Sequence, residues 1–554
     1  MLRSPPPVVP AKAPGSEPLP VIALLALPLF LAQPASIQAG PGEELAAIGK
    51  AFLKEAFALT PWTPALRGWK GKTKGLRGFE YGQRTIWLET LRGFQEELES
   101  LGTSRLDGRQ RADARALDAQ LEMRIALYET RAPERWNALL HVERVERMLV
   151  AEQSPLRTPS ERRVAMLELL REVPAYFKHA KASLVSPIDD WSHAAVLRLD
   201  EDIANLELTR SEFTERLPAG KKADQAVATF DRALKAMRRF RAWLEESPSG
   251  LGVSVPHLGA ARWERVVRAA SGIPYDLDEL STRVLVDLAR RERRDGARWR
   301  ERRRGEVDLA LVGGLEEEVL ANSERAMELA SRAGLLPELS PRQALSFTSG
   351  DLGRPFHRGV LFLPGPGKEL GSVDPALLRG ADAATLAALA IRYGFPGQGL
   401  FRHEARAASS PLARALWNRS LLEGWGLYAL DWVLRIDWVE NDLAGQTDLA
   451  SEASRQIAFE EARLLASLEL HARDFELDEA TEAFRRRTGV SLEEARAEVR
   501  LSLADPLRGI GVLGWMELVR KEHAYAATQD PRRALGQSLE ATLSAPYLRP
   551  TDRD

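Results

Sequence analysis

The sequence predicts an all-α protein, with a mainly helical body from about residue 45 to 545 and at most a small β-sheet near 359–364. Residues 117–150 and 231–246 carry apolar side chains at three- and four-residue spacings, the period of a helix with one buried face. The helical runs end at clusters of proline and glycine. One run, Gly359–Gly365, reads as a strand because turn residues flank it on both sides.

The N-terminal residues 1–40 are predicted to be separate from the fold, either as a signal peptide or as a disordered segment. Residues 1–20 are rich in proline, and the apolar run 21–32 follows. A signal peptide would be cleaved near Ala35 or Ala39, and the protein would then be exported. Twelve residues of helix span about 18 Å, less than the roughly 30 Å of a bilayer core. The sequence therefore predicts no stable membrane span.

Two halves are predicted within the body: an N-terminal helical half, 41–250, and a C-terminal half, 251–554. The proline- and glycine-rich stretch 247–259 marks the boundary, unless it is a loop inside one domain.

Composition excludes several function classes. The chain has 77 basic and 79 acidic residues, so its charge gives no reason to expect nucleic acid as a partner. There is no cysteine, which excludes disulfides, thiolate metal ligands and a cysteine nucleophile. The arginine-rich run 289–308 is interpreted as a solvated helix face. His403-Glu404 is interpreted as a surface pair, since a zinc-binding helix needs a second histidine four residues after the first and position 407 is alanine.

The stretch "AIRYGFPGQGLF", 390–401, raises a functional question. It follows an apolar helix, and a proline there removes a helical hydrogen bond and breaks the helix. Residues Glu423-Gly424-Trp425 follow downstream, and then Tyr428. This order resembles the bacterial domain of unknown function 885 family over roughly 45–545. The resemblance implies a helical, zincin-like zinc metallopeptidase whose motif reads H-E-x-x-P-G-H, with a later Glu-Gly-Trp.

Pro396-Gly397 set the register of that motif on this chain. The first histidine of the family falls on Arg392, the glutamate on Tyr393 and the second histidine on Gln398, while Glu423 is kept. Further along, the resemblance places the family pattern R-x-x-x-D-x-G-x-H on Arg463, Ser467 and His471, with serine in place of the aspartate. Tyr428 and Trp425 complete the supporting positions.

These departures remove the chemistry that the resemblance implies. A catalytic zinc needs three protein ligands from neutral histidine and carboxylate. Arg392 is a permanent cation without a lone pair, and Gln398 offers only an amide oxygen. Tyr393 is a poor general base at neutral pH. We therefore expect no zinc and no metal site in this chain, although the resemblance implies zinc as the cofactor.

Two partners for Glu423 follow from the register. An Arg392–Glu423 pair would replace the metal, and Arg419 is the rival because it lies four residues earlier on the same helix. Arg392 or Gln398 is thus expected within hydrogen-bonding reach of Glu423. His471 is either a hydrogen-bonded core histidine or a residue lining the same cleft.

The leading interpretation is a non-catalytic relative of a helical metallopeptidase family that binds a peptide or small molecule in the old cleft. One alternative is an active hydrolase with a relocated metal, or with metal-free acid–base chemistry around Glu423 and His471. A second alternative is a helical interaction protein with a filled cleft. The sequence names neither ligand nor oligomeric state.

Overall fold

Helices form nearly all of the described structure, and the all-α prediction is confirmed. The computed structural model describes residues 40–60, 75–76, 81–130, 132–152, 157–215, 220–246, 257–295, 312–332, 361–362, 371–372, 383–408, 410–435, 443–527 and 542. The chain divides into two compact units, 1–40 and 41–554, and every described helix lies in the second.

The helices are α1 (Pro41–Leu59), α2 (Tyr81–Leu101), α3 (Gly108–Thr130), α4 (Ala138–Glu152), α5 (Pro159–Ser183), α6 (Asp189–Glu215), α7 (Lys221–Glu246), α8 (Ala260–Ser271), α9 (Leu277–Asp295), α10 (Val312–Arg332), α11 (Ala383–Tyr393), α12 (Gln398–Ala407), α13 (Pro411–Ala415), α14 (Arg419–Arg435), α15 (Leu443–Ala472), α16 (Leu477–Thr488), α17 (Leu492–Ala504) and α18 (Gly511–Ala526). Short 3₁₀ turns cover Thr103–Arg105 and Pro133–Arg135.

Local sequence explains where several helices begin and end. α5 starts with a capping box, in which the Glu161 N–H donates to the Thr158 hydroxyl and the Glu161 carboxylate accepts from the Thr158 N–H. Ser491 and Glu494 repeat this arrangement at the start of α17. Gly272 ends α8 with a φ of 76°, a left-handed conformation that glycine adopts without steric cost.

A two-residue antiparallel ladder joins β1 (Leu361–Phe362) to β2 (Gly371–Ser372), with Leu361 opposite Ser372. β1 falls within the predicted strand region near 359–364, whereas β2 lies beyond it. The rest of that region lies outside the described residues, as do the N-terminal segment 1–39 and residues 247–256 of the predicted boundary 247–259. Export and the two-half organisation therefore stay predictions. No helix of the described part is both long and apolar enough to cross a bilayer.

The core that positions the candidate site centres on α14, α15 and α18. α14 packs along α18 at close range, since a Cβ atom on Gly514 would lie only 2.1 Å from the carbonyl oxygen of Ser420. α15 contacts α9, α11, α16 and α17. Trp425, Tyr428 and Trp432 are fully buried along α14, and each large apolar side chain contributes on the order of 1.5–3 kcal/mol when buried. A separate core joins α4, α5, α6 and α7.

Candidate functional site

The proline–glycine break forms a tight turn between α11 and α12. α11 ends at Tyr393, the Phe395–Pro396 peptide bond is cis, and α12 begins at Gln398. The Gly394 N–H donates to the Ala390 carbonyl at 2.9 Å. A turn therefore separates the two helices at the position where the sequence predicts a break.

α14 lies directly against this turn. The indole N–H of Trp425 donates to the carbonyl of Pro396 at 2.8 Å. A Cβ atom on Gly426 would lie 2.8 Å from the Arg392 carbonyl oxygen and 3.1 Å from Cγ of Gln398. The turn 392–398 and the helix that carries Glu423 are thus in contact, although they are far apart in sequence.

Arg392 does not pair with Glu423, so that expectation is wrong. Its guanidinium donates to the Glu460 carboxylate at 2.6 Å and to Gln456 at 3.5 Å, and the side chain is 4% exposed. The guanidinium carbon also lies 4.8 Å from the centre of the Tyr393 ring. The physical reason is that α15 packs against α11 and brings a carboxylate to Arg392 at closer range than α14 does.

Glu460 begins a chain of buried ion pairs that runs from α15 to α17 and beyond. Arg463 donates to Glu460 at 2.7 Å and, through two nitrogens, to Glu498 at 2.8 and 2.7 Å. Arg508 donates to the same Glu498 at 2.7 Å. Burial alone would raise the pKa of both carboxylates, but the neighbouring guanidiniums outweigh it and hold the pKa of Glu460 and of Glu498 at about 2.

Glu423 pairs with its rival partner. The Arg419 guanidinium donates to Glu423 at 2.7 Å and to Asp505 at 2.7 Å. Although protein surrounds Arg419 and Asp505 closely, both side chains are 38% exposed, and that of Glu423 is 27% exposed. The three side chains therefore form a charged network that is partly accessible to solvent.

The two other replaced motif positions lie nearby without reaching Glu423. The side-chain oxygen of Gln398 accepts from Arg402 at 2.9 Å, so Gln398 does not meet the expectation of a bond to Glu423. Tyr393 is half-buried. Burial raises the pKa of its hydroxyl above the ordinary 10.0, against the opposing effect of Arg392, and the Glu423 carboxylate adds to the increase.

His471 and Ser467 serve the packing of α15 against the segment after α17. His471 is fully buried, and its Nε2 lies 3.2 Å from the Ser502 carbonyl. Ser467 donates to the Pro506 carbonyl at 2.8 Å and accepts from the Trp263 indole at 3.0 Å. These contacts are those of a hydrogen-bonded core histidine, and a fully buried His471 does not line an open cleft.

The residues at the former motif do not fit a zinc ion. Arg392 is held by Glu460, the Gln398 oxygen by Arg402 and the Glu423 carboxylate by Arg419. Across the described ranges, no group of three or more His, Cys, Asp or Glu side chains could hold a metal ion. The donor set left at the turn is therefore one amide and one carboxylate, both already hydrogen-bonded.

Several residues of this network escaped sequence reasoning. Glu460 lies 68 positions from Arg392 and Glu498 lies 35 from Arg463. The only local signal was that Glu460 and Arg463 lie three residues apart on one helix. Ion pairs on solvated helix faces have the same spacing, so this signal does not reveal a buried pair.

The interpretation of the arginine-rich run 289–308 as a solvated face also needs correction in part, because Arg291 is 7% exposed and stacks on the Trp515 ring at 4.9 Å. Its residues beyond 295 lie outside the described part.

Comparison with known proteins connects the N-terminal part of the body to a family. Residues 66–297 match the model of the bacterial protein family of unknown function DUF885. This match supports the DUF885 family. It ends before the turn 392–398, so the motif positions rest on the resemblance and on the geometry given above. No curated protein matches the chain.

Two solved structures share the fold over most of their length. A "putative lipoprotein of unknown function" from Shewanella oneidensis has a TM-score of 0.68 at 15% identity, covering 92% of this chain and 98% of that one. A second structure, described as a "putative lipoprotein" from Colwellia psychrerythraea, has a TM-score of 0.68 at 12% identity, covering 93% and 99%. At these identities the likeness concerns the fold alone.

Proposed function

We propose that this protein is a non-catalytic relative of a helical zinc metallopeptidase-like family, within or close to the DUF885 family, and that it binds a peptide or small molecule in the former active-site cleft. The observation that carries the proposal is the buried ion pair between Arg392 and Glu460, 2.6 Å long. It stands at the position that the resemblance assigns to the first zinc-binding histidine.

The ion pair supports loss of the metal for an electrostatic reason. A guanidinium cannot donate a lone pair, and a zinc ion beside it would meet a fixed positive charge. Glu460 already neutralises that charge, and Arg463 shares the same carboxylate. Among the described residues, the carboxylate that contacts Arg392 is already shared with Arg463 and is not free to offset a dication.

Tyr393 supports loss of the general base. In the metallopeptidase mechanism that the resemblance implies, the residue at this position takes a proton from water. Burial raises the pKa of Tyr393 above 10.0, so its hydroxyl is protonated at neutral pH and accepts no proton efficiently.

Ligand binding is favoured over a filled cleft by the partial exposure of the Arg419, Glu423 and Asp505 side chains. One cation flanked by two carboxylates suits a ligand with both donors and acceptors, which is the chemistry of a peptide backbone. The hydrolase alternative would need Glu423 and His471 to act together. Glu423 is engaged by Arg419, whereas His471 is enclosed in the core.

Export belongs to the same proposal. The apolar run 21–32 has the length of a signal-peptide core, and the two similar solved structures described above carry a lipoprotein description. N-terminal sequencing of the protein recovered from culture fractions tests it, because a start near residue 36 or 40 would show cleavage.

Metal analysis together with a peptide-hydrolysis screen tests the loss of catalysis. We expect purified protein without stoichiometric zinc, and a chelator that leaves its melting temperature unchanged. A restored variant, Arg392→His with Tyr393→Glu and Gln398→His, should acquire zinc if the register is right. Its matched control, Arg392→Ala with Tyr393→Phe and Gln398→Ala, should not.

Two results would overturn the proposal. One is zinc bound stoichiometrically to the wild-type protein, with Glu423 or His471 among the ligands. The other is peptide hydrolysis by the wild-type protein that Glu423→Gln abolishes.

A further inference from the structure

A second polar cluster lies around Tyr128, away from the former active site. Four buried side-chain atoms there have no hydrogen-bond partner among the described residues: Nε of Arg84, Nε1 of Trp87, Nε of Arg124 and Oε1 of Glu134. Buried polar atoms in native proteins are nearly always hydrogen-bonded, so four in one place require an explanation.

Three neighbouring elements bring these groups together. α2 supplies Arg84, which donates to the Tyr128 carbonyl, and Trp87, whose ring centre lies 6.5 Å from that of Tyr128. α3 supplies Arg124, four residues before Tyr128 and 5.7 Å from the Phe52 ring centre. The 3₁₀ turn Pro133–Arg135 that follows α3 supplies Glu134.

Glu134 is enclosed, whereas Arg84 and Arg124 are half-buried, and the described residues form no ion pair among these three groups. Glu134 is 1% exposed, and burial raises its pKa although Arg84 and Arg144 oppose the increase. Burial lowers the pKa of Arg124, and the only opposing influence comes from Tyr128. Within the described part of the chain, neither Glu134 nor Arg124 takes part in an ion pair.

Nearby titratable groups do not cancel these charges. Burial lowers the pKa of His141 to about 4, so its ring is neutral at pH 7. Tyr128 is neutral as well, because burial raises its pKa. A buried charge without a partner is costly. Water molecules could bond the free N–H groups, but they would not neutralise Arg124 or Glu134.

We propose that Arg84, Arg124 and Glu134 form a binding site for a small zwitterion with the chemistry of a free α-amino acid. The two guanidiniums and the Trp87 indole offer donors to a carboxylate, and Glu134 offers an acceptor to an ammonium group. Arg84 and Glu134 influence each other electrostatically without forming an ion pair, so a ligand with both charges would complement both groups. The site shares no residue with the cleft around Glu423.

Calorimetric titration of the full chain tests the site. The probes are glycine, L-alanine and L-leucine, with acetate, methylammonium and inorganic phosphate as compounds that carry only one kind of charge. We expect at least one amino acid to bind about tenfold or more tightly than acetate or methylammonium, because each of these loses one charged contact.

Two conservative variants report which charge acts on which group. Arg124→Gln should lower the affinity for both the amino acid and acetate. Glu134→Gln should lower only the affinity for the amino acid, until the amino acid binds no more tightly than acetate. Arg92→Gln is the matched control on α2, since Arg92 is half-exposed and pairs with Glu129 outside the cluster. It should bind as the wild type does.

A purely structural role for these residues would lower the melting temperature without changing the preference for zwitterions. The proposal is overturned if no amino acid binds, if phosphate or acetate binds as tightly as every amino acid, or if both cluster variants keep the wild-type affinity. None of these results affects the metal experiment, which concerns other residues.

Discussion

Glu460→Gln should lower the free energy of unfolding much more than Glu423→Gln, although each substitution removes a carboxylate that pairs with an arginine in the same region. Glu460 is 6% exposed and bridges Arg392 and Arg463, which are 4% and 7% exposed. Removing one partner from such a buried pair leaves an uncompensated charge and costs about 3–5 kcal/mol. The Arg419–Glu423 pair is 38% and 27% exposed, so water replaces the lost carboxylate and the cost is about 0.2–1 kcal/mol.

Urea unfolding measures this difference, because urea does not screen charges as guanidinium chloride does. A chain of this size need not unfold in a single transition, so the comparison uses the transition that reports on the C-terminal tryptophans. A double-mutant cycle with Arg392→Gln adds a second reading. The double variant should lose less stability than the sum of the single variants, because no buried charge then remains unpaired at that contact.

Two outcomes would refute the reasoning. If Glu423→Gln destabilised the protein as much as Glu460→Gln, Glu423 and not Glu460 would compensate the buried cation. If Arg392→Gln and Glu460→Gln were additive, the two side chains would not form the observed pair in solution.

Two further predictions concern pH. Glu460 and Glu498 have pKa values of about 2 in the folded state, against 4.5 when unfolded. Their contribution to the free energy of unfolding is therefore complete above pH 4.5 and is lost as the pH falls towards 2, and near-ultraviolet circular dichroism should follow this loss. If the dichroism of Glu460→Gln fell with pH as steeply as that of the wild type, the network would be absent. Glu461 is fully buried, and burial raises its pKa to about 7, an effect that Arg291 only partly opposes. Its contribution to the free energy of unfolding is complete below pH 4.5 and is lost as pH rises through about 7. Glu461 also pairs with Arg291 at 3.4 Å, so Glu461→Gln has a cost of its own at every pH. The difference in melting temperature between wild type and Glu461→Gln should therefore shift in favour of the variant between about pH 5 and 8, and parallel curves would contradict this.

The sequence predicted the helices because their signals are local. Apolar spacing, the Thr158–Glu161 box and Gly272 each act within a few residues of the feature they specify. The break at Pro396 is local as well, since proline removes a helical N–H wherever it stands. The sequence also predicted that Arg419 could reach Glu423, because residues four apart lie on one helix face.

Ion-pair partners across helices could not be predicted in this way. Arg392 could have met any carboxylate that the fold brought within reach, and the packing of α15 against α11 selected Glu460. Likewise, spacing placed Arg463 and His471 on one face of α15, but their partners differ: Arg463 meets Glu498, whereas His471 meets the Ser502 carbonyl.

The sequence by itself thus determined an all-α body, the helix break at Pro396-Gly397 and the absence of histidine at the zinc positions of the motif. Only the tertiary structure decided that Arg392 is neutralised by Glu460 and that Glu423 stays partly exposed in a pair with Arg419. The physical reason is range. Helix formation depends on neighbours along the chain, whereas the compensation of a buried charge depends on which side chains meet it after packing has excluded water.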